Sequence, residues 1–210
     1  MRIPGPPADN MIRILAFDPG TDTFGCAIID VDVDTYEPLV VYGGTIVANK
    51  EVKRYSAMVA MRYARDARLE IIREHIAELL RECEPTLVAT ESPFLRRGKV
   101  SAFESLVECQ KMLREVLWGY TTTMQLRRID PVSVKNYVGV SHKGTDKDDV
   151  KRAVHAIYRT KCSPDVDLST FDEHTNDALA VANVIYRNFL LGEVVETSRK
   201  KRPRRSKKTK

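Results

Sequence analysis

Between residues 12 and 48 the chain carries three apolar runs, "IRILAFD" (12–18), "GCAIIDVD" (25–32) and "EPLVVYGGTIVA" (37–48), separated by short polar turns. That spacing commits the segment to an antiparallel meander. The first run ends on Asp18, just before Pro19 and Gly20. A carboxylate at the end of a buried strand is costly unless something compensates it. Asp18 is therefore either a turn former or part of a site.

Downstream the pattern changes. Met58, Met61, Ile71, Ile72, Ile76 and Leu80 recur at roughly helical spacing, which predicts a helix over 52–82. "TLVATE" (86–91) reads as a short strand ending at Glu91. Residues 101–120 read as a helix, with Ser101 and Glu104 at capping-box spacing. A strand over 124–130 follows, and Pro131 starts a short helix. Asp146 caps a helix over 147–159, and a last helix runs from near Asp172 to about Leu191, stopping at Gly192. Three antiparallel strands, then helices alternating with two parallel strands, make an α/β domain with a mixed sheet.

Charge is informative once it is located. Of the 34 Lys and Arg, nine fall in "RKKRPRRSKKTK" (199–210), leaving 25 against 29 Asp and Glu in the rest. The basic excess thus sits in a tail, of the kind that is usually disordered and often a nucleic-acid arm. A localisation or solubilising tail is the plainer reading. The expected organisation is a disordered lead-in over 1–10, one domain over 11–192, and a basic disordered tail over 193–210. No apolar stretch approaches a membrane span. Cys26, Cys83, Cys109 and Cys162 show no metal-type or disulfide-type spacing, which fits a reducing, cytoplasmic compartment.

The carboxylates fall in a suggestive order. In an open α/β sheet, sites gather at the carboxyl ends of strands. Adjacent first and fourth strands would bring Asp18 and Glu91 together. Asp177 lies in the first turns of the last helix, within "DEHTNDALAVANVIY". Three clustered carboxylates repel and raise one another's pKa unless a cation holds them. Mg2+ is the natural compensator, because it takes carboxylate oxygens. His174, three residues before Asp177, faces the same side of the helix and is a further candidate ligand. The plainer readings are a capping or surface role for His174 and a helix-dipole role for Asp177.

Four blocks in this order resemble the RuvC family of Holliday-junction resolvases. They are "ILAFDPGTDTFGCAII", "ATESPFLRRG", "PVSVKNYVGVSHKGTDKDDV" and "HTNDALAVAN", and the likeness spans roughly residues 12–190. The resemblance implies an RNase H-like fold, a mixed five-stranded sheet flanked by helices. It places metal-binding groups at Asp18, Glu91, His174 and Asp177 and a base-stacking aromatic at Phe94. Functional lysines map onto Lys135 and Lys147, with Lys143 as the alternative to Lys147. A viral type of member is among the readings it leaves open.

The implied activity is that of a structure-selective endodeoxyribonuclease, a hydrolase of DNA recombination and repair that resolves four-way or other branched junctions. Two Mg2+ ions per site, with Mn2+ also supporting activity, would serve phosphodiester hydrolysis. Lys135 or Lys147 would offset charge on the phosphate in the transition state. Arg96, Arg97, Lys99 and Lys143 would join Phe94, Lys135 and Lys147 in binding DNA. Symmetric cleavage implies a homodimer. Two alternatives stay open. One is an ATP-dependent kinase or ATPase of the actin-like superfamily, whose phosphate loop "DPGTDTFG" also resembles. The other is a non-catalytic branched-DNA-binding module.

Overall fold

The structure is a computed structural model and describes residues 2–95, 98–140 and 147–193, the side chain of Lys147 excepted. One five-stranded sheet, ordered β3-β2-β1-β4-β5, organises the chain. Its strands are β1 (Met11–Asp18), β2 (Phe24–Asp32), β3 (Pro38–Ile46), β4 (Leu87–Glu91) and β5 (Leu126–Ile129). The first three pair antiparallel, while β4 pairs parallel with β1 and β5 parallel with β4. This is the mixed α/β sheet the apolar pattern implied.

Helices cover both faces, which is why β1 and β2 are apolar without alternation. Successive side chains of a strand point to opposite faces. Ile14 and Ala16 therefore enter one core with α5 (Pro131–Tyr137), α6 (Lys147–Tyr158) and α7 (Glu173–Ile185). Leu15 and Phe17 enter the other, with α3 (Ala64–Cys83) and α4 (Val100–Tyr120). Two short helices, α1 (Ala48–Glu51) and α2 (Ser56–Met61), precede α3.

Two local expectations are corrected. The single helix over 52–82 is interrupted, because Arg62 leaves helical geometry and Tyr63 is extended between α2 and α3. The buried stripe of α3 begins at Ala67, whereas α2 buries none of its residues, so nothing holds the upstream segment collinear. The capping box at Ser101 is not used. Helix α4 starts one residue earlier, with Lys99 at the cap and no capping side chain. The last helix ends where expected, just before Gly192 (φ 67), and its final turn, Tyr186–Leu190, is π-helical.

The lead-in is held at two points. Ile3 packs against the core on the α3 side, and the carbonyl of Gly5 accepts a hydrogen bond from Arg13. Residues 194–210, which include the basic tail, lie outside the described residues. Among the described residues, no helix is long and apolar enough to cross a membrane.

Candidate active site

The parallel pairing of β1 with β4 sets Phe17 opposite Thr90. The next residues, Asp18 and Glu91, therefore leave the sheet side by side at its carboxyl edge. Each strand end is pinned. Gln110, buried on α4, donates to the carbonyl of Glu91 (2.8 Å), and Ser92 N–H donates to the carbonyl of Ile129 (2.7 Å). Asp130 caps α5, accepting from the N–H groups of Val132 and Ser133, and that helix carries Lys135. Asp172 caps α7, accepting from Thr175 N–H. Helix α7 packs across β1, β2 and β4, with Asp177 one turn inside its start.

These elements enclose an open cavity of about 610 Å³. Asp18, Glu91, Glu173 and Asp177 line it, together with Lys135, Lys99, Phe94 and Phe103. Four carboxylates share one cavity, and two of them, Asp18 and Asp177, are shifted upward. Burial, with the charges of Asp18 and Glu173, pushes the Asp177 carboxyl up to about 7. Lys135 and His174 oppose that shift. Burial also raises Asp18, against the pull of His174.

His174 stands behind this cavity and is not among its lining residues. In the neutral ring its Nδ1–H donates to Asp18 Oδ2 (2.8 Å), and Thr23 Oγ1 donates to its Nε2 (2.7 Å). The bond to Asp18 raises the imidazole's pKa. Strand β2 comes so near the start of α7 that a Cβ at Gly25 would lie 2.2 Å from the His174 carbonyl oxygen. Only glycine fits there. The loop after Asp18 is clamped from the other side by Arg68 of α3. Its Nε lies 2.9 Å from Asp22 Oδ1, an ion pair whose N–H is not aligned for a hydrogen bond.

Of the expected site residues, the structure brings Asp18, Glu91, Asp177, Lys135, Phe94 and Lys99 to one cavity. Phe94 is 59% exposed on its rim. Arg96, Arg97 and Lys143 lie outside the described residues, as does the side chain of Lys147, which opens α6. Sequence reasoning missed Glu173, Thr23 and Gln110. A signal for Glu173 existed, since it precedes Asp177 by four residues and so shares its helix face.

The donor set fits a hard divalent cation, which prefers clustered carboxylate oxygens. Burial is the first cause of the raised Asp18 and Asp177 carboxyl groups, and a cation held between them would favour their charged forms. Among the described residues, no three His, Cys, Asp or Glu side chains converge at metal-ligand spacing. Like charges hold such groups apart when uncompensated.

No family model matches the sequence, and no curated protein matches it. Solved structures do match. T. thermophilus RuvC in complex with Holliday junction substrate is 17% identical at a TM-score of 0.62, covering 86% of this chain and 97% of that one. A Thermus thermophilus RuvC structure is 19% identical at 0.52, again over 86% and 97%. The yeast mitochondrial Holliday junction resolvase Ydc2 is 13% identical at 0.56, over 89% and 86%. At these identities the likeness is one of fold, and the chain has the RNase H-like fold seen in these resolvases.

Proposed function

We propose that this chain is a metal-dependent endodeoxyribonuclease that resolves four-way or otherwise branched DNA. The observation that carries the reading is the single cavity holding Asp18, Glu91, Asp177 and Lys135 beneath the exposed ring of Phe94. The solved resolvases of the same fold, one of them bound to a Holliday junction, favour branched DNA as the substrate class.

Asp18, Glu91 and Asp177 would hold two Mg2+ or Mn2+ ions. Bound there, such ions supply Lewis-acid polarisation of a phosphate and a water of lowered pKa. The chain's own groups do the rest. Lys135 stands on the cavity wall and stabilises the extra charge of the pentavalent phosphate. The Gln110 and Ser92 hydrogen bonds keep the β4 end rigid, so Glu91 enters the cavity at a fixed height.

Paired cuts across a junction need two sites related by a two-fold axis. Val100, Val107 and Trp118 are exposed on α4 at spacings of seven and eleven, which places them on one helix face. These three side chains, with exposed Lys111 between Val107 and Trp118 on the same face, suit a self-complementary contact. Val107→Asp should give a monomer by sedimentation and uncouple the two cuts, leaving nicked junctions as the product. A dimer that survives the change would remove α4 from the interface.

Phe94 should stack on a base exposed at the junction centre, an interaction worth roughly 1–3 kcal/mol per base. Phe94→Ala should therefore weaken junction cleavage about tenfold or more, while Phe94→Trp keeps most of it. Equal losses would mark Phe94 as a packing residue.

Cleavage of labelled four-way junctions, forks, flaps and linear duplexes, with Mg2+ and with chelator, tests the reading. Metal-dependent cleavage confined to branched DNA is expected. No cleavage of any branched substrate would overturn it.

A further inference from the structure

We propose that the start of α4 walls a nucleobase pocket inside the catalytic cavity, with the Phe103 ring stacking on the base of a nucleotide beside the cleaved phosphate. The inference rests on the nuclease reading above and deepens it by naming what the cavity holds besides the phosphate.

The face that α4 turns to the sheet is the first observation. Phe103, Leu106, Gln110, Leu113 and Leu117 recur at spacings of three and four, so they share one helix face. Gln110, Leu113 and Leu117 are buried, and Gln110 meets the carbonyl of Glu91 at the end of β4. Leu106 and Phe103 stand one and two turns before Gln110, about 6 and 10 Å along the helix axis. At that level the sheet has ended, and none of residues 100–108 is buried. Among the described residues, neither side chain belongs to a hydrophobic core. Both line the cavity with Asp18, Glu91 and Asp177. The apolar stripe of α4 thus runs on past the core and into the site.

The composition of the cavity is the second. Its acids stand beside Lys99 and Lys135, while Val134, Val150 and Val181 add further apolar surface. Its volume of about 610 Å³ suits a bound small group. Apolar surface left open in this way marks a binding groove. A nucleotide has the matching ends, a phosphate and a flat base. Every base has a face that stacks on an aromatic ring. Phe94 does not occupy the Phe103 ring, since among the described residues the one ring pair is Phe17 with Phe24. Phe94 on the rim and Phe103 inside are therefore two separate stacking surfaces. Taking a base out of the stack costs least where it is unpaired, which ties such a pocket to branched DNA.

The test uses the full chain and a four-way junction whose cleaved phosphate has been mapped. The bases on the two sides of that phosphate are deleted one at a time, leaving abasic sites. For each enzyme, the deletion effect is the single-turnover rate on the intact junction divided by the rate on the abasic one. At one of the two positions this effect should be about tenfold larger in the parent than in Phe103→Ala. Phe103→Trp should keep it at the parental size, and so should Phe94→Ala, which removes the other stacking surface. Taking the ratio cancels any loss of folded enzyme, which slows both junctions alike.

Equal deletion effects in the parent and Phe103→Ala at both positions would overturn the proposal. Equal effects with a monomeric Phe103→Ala by sedimentation would overturn it in favour of a subunit contact. A deletion effect lost in Phe94→Ala and kept in Phe103→Ala would give the base to Phe94 instead. In each of these cases the parent still cleaves, so the nuclease reading stands and this inference alone fails. A parent that cleaves no branched DNA removes both.

Discussion

Asp177→Asn should fold, bind a four-way junction at least as tightly as the parent, and cleave it about a thousandfold more slowly in Mg2+, a loss of about 4 kcal/mol of transition-state stabilisation. The amide keeps the shape of the side chain and removes the charge that would hold a cation. The fold should survive because Asp177 is under electrostatic pressure already. Burial, Asp18 and Glu173 push its carboxyl up to about 7, so neutralising it relieves repulsion. DNA binding should hold or tighten for the same reason, since one less anion opposes the phosphates. Asp18→Asn and Glu91→Gln should behave alike, because all three acids line one cavity. Gel-shift binding without metal, beside single-turnover cleavage with it, separates the two effects. Cleavage at the parental rate by Asp177→Asn would remove this residue from the chemistry.

The strands were legible because their signal is local. Apolar runs of strand length broken by turn residues fix β1, β2 and β3 whatever packs on them. The same pattern places Asp18 and Glu91 at strand ends, and the pairing of β1 with β4 brings them together. Helix ends were less legible. Ser101 and Glu104 have the right spacing for a cap, yet α4 begins at Val100, inside the loop that leads to it. The break at Arg62 and Tyr63 was hidden because Met58 and Met61 continue a helical rhythm that the core never uses.

The start of α7 shows the deeper limit. His174 and Glu173 both lie within one turn of Asp177, at spacings of three and four. Choosing between them needs the rotation of α7 about its own axis, which its packing on the sheet decides. Gly25 contributes to that choice by letting β2 reach the helix backbone. That contact joins residues 149 positions apart, and no local pattern carries it. The lead-in is a similar case. Its Pro and Gly content reads as disorder, while its anchor is Arg13, a residue inside the first strand.

That anchor sets the largest expected effect on stability. Arg13→Ala should destabilise the fold by about 3–5 kcal/mol, the usual result of removing one partner of a buried ion pair. Arg13 is 3% exposed and Asp30 7%. The guanidinium meets the carboxylate in a fork, with Nε and Nη2 each 2.6 Å from one oxygen of Asp30. Its remaining nitrogen donates to the carbonyl of Cys83 (3.0 Å), where α3 ends, and to the carbonyl of Gly5. One side chain thus ties β1, β2, α3 and the lead-in together. Its loss strands a buried carboxylate and two carbonyls at once. For a chain of this size the drop in melting temperature should be on the order of 10 °C. Asp30→Leu alone should also destabilise, since it leaves the cation buried. Arg13→Met with Asp30→Leu should recover much of the loss, because replacing both charges by apolar groups of similar volume is often neutral. Thermal melts of the three variants check this, and the carboxylate edge lies at the other end of β1, so junction cleavage at low temperature should stay near parental in the double variant. A double variant no more stable than Arg13→Ala would show that the carbonyl bonds to Cys83 and Gly5, and not the unpaired charge, carry the effect.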